Sequence, residues 1–153
     1  MPMNLINGRL IADKIKDAVA KEVFDLCANP ANAKPCERRP SLAIILVGEQ
    51  ADSTLYVNLK QKIAGTVGID THLYKFAEAV TETEILDTIN FLNTDETVDG
   101  ILVQLPLPEH LDTDKIIKTI NPDKDVDGFH PDNTKKLLTF NFQLSTFYPC
   151  HYP

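Results

Sequence analysis

The chain has 153 residues, 43% of them apolar and 24% charged, with a net charge of −7 at neutral pH. That is the size and balance of one ordinary domain with a core of its own, which needs neither disulfides nor a structural metal to fold. An acidic chain without a basic stripe excludes nucleic acid or an anionic membrane as the main partner, though a local basic pocket for an anionic small molecule remains open.

The first pattern in chain order is helical. From Gly8 to about Cys27, apolar Ile11, Ile15, Ala18, Val19, Val23 and Leu26 recur at steps of three and four between charged residues. Ala28 to Pro40, with three prolines, reads as a loop. Ser41 to Val47 is a continuous apolar run closed by Gly48, the pattern of a strand buried on both faces of a parallel sheet. A helix is expected from about Asp52 to Thr66, then a weaker strand from Asp70 to Phe76. Thr81 and Glu84 form a capping box ahead of a helix carrying Ile85, Ile89 and Leu92. Val98 to Val103 reads as a third strand, and Asp112 caps a helix through Ile120. Asn121 to Asp132 is rich in turn residues. Leu137, Leu138 and Phe140 suggest one further short element, and no clear period follows from Phe142 to Pro153.

This alternation of helices and strands predicts an α/β fold, a three-layer parallel sheet flanked by helices. The three cysteines, Cys27, Cys36 and Cys150, are odd in number and lack Cys-x-x-Cys spacing, which fits free thiols in a reducing compartment. The N-terminus has no basic signal region, and no stretch approaches the roughly 20 apolar residues of a spanning helix. A soluble cytoplasmic protein is expected.

Ligands of open parallel sheets bind beyond the carboxyl ends of the strands. Two segments meet that condition here. Gly48 to Lys60 contains Tyr56 and Lys60, four apart and so on one helical face. A lysine against apolar walls can act as a base or orient water, and a nearby phenol can hold it, although Tyr-x-x-x-Lys alone is more often a solvated pair. The other segment, Gln104 to Pro108, offers a carboxamide that can both donate and accept, or that simply caps the strand end. Asp125 and Asp127 would point opposite ways in an extended chain and need not share a site. His72, His110, His130 and His151 lack metal-ligand spacing and read as structural or surface residues. No Gly-x-Gly-x-x-Gly turn follows a strand, and neither a phosphate loop nor a nucleophile elbow occurs.

Three blocks give these pieces a common origin. The segment from Val47 through Tyr56 to Lys60, followed by Gly68 and Ile69, resembles the first signature of the bifunctional methylenetetrahydrofolate dehydrogenase/cyclohydrolase family. Asp99 to His110, with Gln104 and Leu-Pro-Leu-Pro108, is similar to the second block, and Asn121 to Pro131, with Asp127, to the third. The resemblance runs from about Asn4 to Asn133. It implies that Lys60 is the catalytic lysine of the cyclohydrolase step, that Tyr56 packs against the folate and helps hold the lysine, and that Gln104 hydrogen-bonds near the lysine. It also implies that Asp127 anchors the pterin, with Ser53 in a supporting role. The family oxidises 5,10-methylenetetrahydrofolate with NADP or NAD and hydrolyses the methenyl product to 10-formyltetrahydrofolate. It forms homodimers.

After Pro131 the sequence departs from that family. Asp132 to Leu137 lacks the usual glycine, and Pro149-Cys150 is followed by His151-Tyr152-Pro153 instead of the familiar continuation. The resemblance therefore divides the chain into a catalytic domain, residues 1–139, and a divergent tail, 140–153. No nucleotide-binding domain is contained in it, so at most the cyclohydrolase part of the chemistry is expected, without specific NADP binding. The alternative is a folate-binding or interaction module without turnover. An uncovered apolar patch beside Ser41–Val47 and Val98–Val103 is also expected, leading to self-association.

Overall fold

The computed structural model describes residues 7–28 and 38–136. The element suggested by Leu137, Leu138 and Phe140, the tail 140–153, Cys36, Cys150 and His151 lie outside them. Seven elements follow in chain order: α1 (Gly8–Ala28), β1 (Ser41–Val47), α2 (Ala51–Val67), β2 (Asp70–Phe76), α3 (Glu82–Thr94), β3 (Gly100–Val103) and α4 (Thr113–Thr119). The strands form one parallel sheet in the order β2-β1-β3. The α/β architecture read from the sequence is the one observed.

The unbroken apolar run of β1 is explained by its central position. Ala43, Ile45 and Val47 point to one face, where they meet Ile101 and Val103 of β3, Ile85, Ile89 and Leu92 of α3, and Ile116 of α4. Ile44 and Leu46 point to the other face and pack with Leu102 and with Val57 of α2. Each fully buried isoleucine contributes on the order of 1.5–3 kcal/mol relative to exposure, so this one strand anchors both layers.

The strands β1 and β3 are buried throughout, with Leu42 alone at an intermediate level. α2, α3 and α4 cover most of both faces, and what remains beside the two strands is a shallow, mainly apolar hollow of about 250 Å³ at their amino ends, lined by Leu42, Ile69, Gly100 and the half-exposed Val126. Exposed apolar side chains occur elsewhere. On α2, Leu55, Leu59 and Ile63 recur every four residues and are all exposed. On α1, Leu10, Ile11, Ile15 and Leu26 are exposed and Val23 is buried, so most of the apolar face expected for this helix has no cover among the described residues.

Local signals fix the helix ends. Thr81 and Glu84 form the capping box at α3: the Thr81 hydroxyl accepts from the Glu84 amide at 3.4 Å, and the Thr81 amide donates to Glu84 Oε2 at 3.0 Å. Asp112 Oδ1 accepts from the Lys115 amide at 3.0 Å and starts α4. β3 is shorter than the apolar run suggests. Thr97 and Val98 belong to a turn in which the Val98 amide bonds to the Asp95 carbonyl at 3.2 Å, and the strand begins only at Gly100.

Candidate active site

Strand order 2-1-3 reverses direction at β1, which opens a crevice between the carboxyl ends of β1 and β3, the place where parallel sheets bind ligands. α2 leaves the end of β1 and carries Ser53, Tyr56 and Lys60. Gln104 follows β3 directly, and its amide donates to the Ile45 carbonyl at 2.9 Å, continuing the ladder one residue past the strand. Lys60 Nζ donates to Gln104 Oε1 at 2.9 Å, joining residues 44 apart in sequence across this crevice. The other end of the carboxamide is held as well, because Gln104 Nε2 donates to the Leu105 carbonyl at 2.6 Å. With both ends engaged, Gln104 presents its oxygen to Lys60 in one orientation. The next peptide, Leu105–Pro106, is cis.

Tyr56 lies one helical turn before Lys60 and is 58% exposed, so its ring faces solvent. Ser53, nearer the start of the same helix, is buried. Lys60 and Gln104 are thus brought together by the sheet, with Tyr56 standing open beside them.

Asp127 arrives by a different route. After α4 the chain runs back along the free edge of β3. Ile101 donates to the Lys124 carbonyl at 2.7 Å, and Ile101 and Asp125 form a parallel bridge. Lys124 ties this loop to the end of α3 by donating to the Leu92 and Asp95 carbonyls at 2.8 and 2.7 Å. Asn133 secures it from the other side, donating to the Pro122 carbonyl at 2.7 Å and to Asp125 Oδ2 at 2.9 Å. The Lys60 charge weakly favours the ionised form of Asp127.

The segment holding the two acids is not an extended strand throughout, so alternation does not decide where they point. Each carboxyl enters the other's ionisation, Asp125 helping to raise Asp127 and Asp127 helping to lower Asp125. Only Asp125 pairs with the strand. Beyond it the chain turns, with Gly128 at φ 75°, a left-handed conformation that suits glycine. Burial first, and then the neighbouring Asp125, push the Asp127 carboxyl up to about 6, against the smaller opposing pull of Lys60. Burial also opposes the charge of Asp125, but donors from Asn133 and the His130 amide outweigh it and hold that group below the ordinary carboxylate range. Sequence reasoning did not foresee that Asn133 and the His130 amide hold Asp125. The signal was present in the Asp-x-Asp-Gly spacing, but only the tertiary bridge to Ile101 decides how it folds.

Of the described histidines, His72 is exposed, and the other two make local hydrogen bonds. His130 is buried, and its Nδ1 accepts from the Asp132 amide at 3.2 Å. His110 Nε2 lies 3.0 Å from the Val80 carbonyl. A hollow of about 510 Å³ opens at the ends of β1 and β2, lined by Gly48, Glu49, Lys75, Phe76, Ala77 and Glu78. None of Lys60, Gln104 or Asp127 borders it, and an ion pair between Lys75 and Glu49 at 3.0 Å spans two of its residues.

The same chain has clear relatives. The family model for the tetrahydrofolate dehydrogenase/cyclohydrolase catalytic domain matches residues 6–127. The chain is 47% identical over 137 residues to the bifunctional protein FolD of Rhodospirillum rubrum, covering 90% of this chain and 44% of that protein. Among solved structures it is similar to the bifunctional enzyme FolD, a methylenetetrahydrofolate dehydrogenase/cyclohydrolase, of Campylobacter jejuni. That likeness has a TM-score of 0.81 and 40% identity, over 89% of this chain and 46% of the other. It is also similar to the methylenetetrahydrofolate dehydrogenase-cyclohydrolase of Trypanosoma brucei, solved with NADP cofactor and an inhibitor, with a TM-score of 0.80 and 34% identity over 90% and 45% of the two chains. The chain spans about half the length of the curated relatives it matches.

Proposed function

Because this chain belongs to the tetrahydrofolate dehydrogenase/cyclohydrolase family, we propose that its crevice binds a tetrahydrofolate derivative and carries out the cyclohydrolase step, hydrolysis of 5,10-methenyltetrahydrofolate to 10-formyltetrahydrofolate. The observation that carries this reading is the Lys60 Nζ to Gln104 Oε1 bond at the sheet's switch point. Water adds to the electrophilic carbon that bridges N5 and N10 of the folate. The bond from that carbon to N5 then breaks, one proton of the water passing to N5 and the other to solvent, which leaves the formyl group on N10. Lys60 orients the attacking water, and Gln104 keeps the lysine aimed. Tyr56 offers an open aromatic face to the flat folate ring. Asp127 accepts hydrogen bonds from the pterin's amino and ring N–H groups, a charge-assisted pairing. Ser53 supports the helix turn beneath them.

The residues at the mouth of the crevice do not fit a dinucleotide, so the proposal includes no hydride transfer to NADP. The turn after β1 holds Gly48 followed by Glu49, with Asp52 in the first turn of α2. A pyrophosphate needs backbone amides free of carboxylates at such a place. We further infer a cytoplasmic homodimer. No helix among the described residues is long and apolar enough to cross a membrane, and the exposed stripe Leu55, Leu59 and Ile63 on α2 is the kind of surface a second copy would bury.

The test is Lys60→Met. Loss of methenyltetrahydrofolate hydrolysis, with a smaller loss of folate binding, is expected. Near-normal hydrolysis by this variant would sink the assignment. Binding without hydrolysis by the unsubstituted protein would instead identify a folate-binding module without turnover.

A further inference from the structure

The carboxyl end of α3 has no basic residue in its own last turn, although the carbonyls there lack partners within the helix and carry its negative pole. Lys124 supplies the missing cation from the loop after α4. Its Nζ donates to the Leu92 carbonyl at 2.8 Å and to the Asp95 carbonyl at 2.7 Å. The main chain of the same residue is engaged elsewhere: its carbonyl accepts from the Ile101 amide of β3 at 2.7 Å, and its amide donates to the Asn121 carbonyl at 2.8 Å. Lys124 therefore bonds α3 through its side chain and β3 through its backbone. Asn93, in the last turn of α3, adds a second tie to the start of the loop. Its Nδ2 donates to the Thr119 carbonyl at 2.7 Å, and its Oδ1 accepts from the Asn121 amide at 2.8 Å.

We propose that Lys124 is a positioning residue for Asp127: by capping α3 while its carbonyl pairs with Ile101, it fixes where the loop lies along β3, and so where Asp127 stands relative to Lys60 and Gln104. This inference rests on the reading of Asp127 as the pterin anchor. The bridge between Ile101 and Asp125 follows directly after Lys124 and is parallel, so the chain to Asp127 and the chain to Gln104 leave it in the same direction. Asp127 lies two residues past the bridge, a span of at most about 7 Å, and its place is set by where the bridge forms. A slip of one residue at the bridge would carry the loop about 3.3 Å along the strand. A misplacement of about 1 Å already suffices to impair a site that works by alignment. The ammonium opposes such a slip, because withdrawing it uncovers two part-buried carbonyls. Asn133 holds the loop from its far side through the Pro122 carbonyl and Asp125, so loss of the Lys124 tie loosens the loop without releasing it. The Lys60–Gln104 bond involves no atom of this loop.

The consequence is a loss in binding that spares the chemical step. A loop in place only part of the time binds with an affinity reduced by that fraction, whereas in the bound complex the reacting groups stand as before. Lys124→Met keeps the apolar stem and removes the donor. Its dissociation constant for 5-formyltetrahydrofolate, measured by calorimetry, should rise about tenfold. KM for hydrolysis of 5,10-methenyltetrahydrofolate should rise with it, while kcat stays within about threefold. Lys124→Arg still offers donors to both carbonyls and should restore the dissociation constant to within about threefold of the unsubstituted protein's. Asp112→Ala removes the α4 cap and serves as the control for stability alone, with a lower unfolding midpoint and an unchanged dissociation constant. Binding by Lys124→Met equal to that of the unsubstituted protein overturns the proposal. So does a loss that Lys124→Arg does not recover, or one that Asp112→Ala reproduces. If Lys124→Met fails to fold, Lys124→Gln, with one amide donor group on a shorter stem, takes its place; weakened binding is expected and unaltered binding overturns the proposal. Asp127→Ala separates the two levels. Unaltered binding by that variant refutes the anchor reading itself, whereas lost binding there together with unaltered binding by Lys124→Met refutes only the role of Lys124.

Discussion

Substituting Gly100 by alanine tests whether β3 and the Asp125–Asp127 loop are packed as described. Gly100 pairs with Leu42 of β1 and is buried. A Cβ placed there would lie 2.4 Å from Val126 Cγ1 and 3.4 Å from Leu42 Cδ1. The first distance is more than 1 Å inside the ordinary carbon–carbon contact of about 3.5–4.0 Å. Relief requires either a turn of the stiff Val126 side chain off its rotamer, which costs roughly 0.5–1.5 kcal/mol, or a shift of the loop that stretches the 2.7 Å bond from Ile101 to Lys124. Overpacking generally destabilises by about 1–3 kcal/mol. Val126 is half exposed and can yield outward, and alanine recovers roughly 0.5–1 kcal/mol of chain entropy relative to glycine, so the lower part of that range is expected. Urea denaturation should show a lower midpoint at unchanged slope. The double variant Gly100→Ala/Val126→Ala removes the colliding methyl, and in the Val126→Ala background the alanine at 100 should be neutral or stabilising. Equal destabilisation in both backgrounds would refute the packing described, because the cost would then have nothing to do with Val126.

Two further outcomes are expected. Gln104→Ala removes the acceptor of Lys60 Nζ; a hydrogen bond to a charged group contributes about 1.5–3 kcal/mol, so methenyltetrahydrofolate hydrolysis should fall roughly ten- to hundredfold in kcat with little change in unfolding midpoint, and an unaltered kcat would separate Gln104 from the chemistry. Asp99 is held below the ordinary carboxylate range, first by its hydrogen bond from Arg38, and its folded value lies under its unfolded one; it therefore stabilises the fold above about pH 4 and loses that effect as the pH falls further. Because the pair is about half exposed, Asp99→Asn should cost less than about 1 kcal/mol at pH 7, with the gap to the unsubstituted protein closing in acid; a gap that widens below pH 4 would contradict the assignment.

Features carried by local chemistry were readable from the sequence. The limits of β1 and β2, the Thr81 capping box and the Asp112 cap all follow from apolar runs and short-range hydrogen bonding, and the observed elements match them. The apolar run of Ser41 to Val47 signals two-faced burial correctly because β1 is the central strand. Errors arise where distant parts of the chain decide. The apolar face of α1 has the right period, yet only Val23 is buried, since periodicity says which residues align and not what covers them. The Lys60–Gln104 bond and the bridge from Ile101 to Asp125 both depend on how distant segments pair, which single-residue patterns do not contain. Family resemblance points to Lys60, Gln104 and Asp127, whereas alternation alone sets Asp125 aside, and its part emerges only from the bridge to Ile101.

The strand order also sets when the crevice can come into being. β1 finds β2 across a short stretch of chain closed by α2, while its β3 partner lies about twice as far away in sequence. Doubling a loop adds only about 0.6 kcal/mol of closure entropy, but the nearer pairing is still the one that can form without the other. Lys60 is therefore in place as soon as β1, α2 and β2 assemble. Gln104 and both acids of the loop join only when β3 docks on the opposite edge. A folding chain would acquire its lysine early and become competent to hold a pterin at the final step. Recovery of ligand binding should then lag behind recovery of helical signal in a refolding experiment, and any substitution that slows β3 docking would lengthen that lag without altering the finished site.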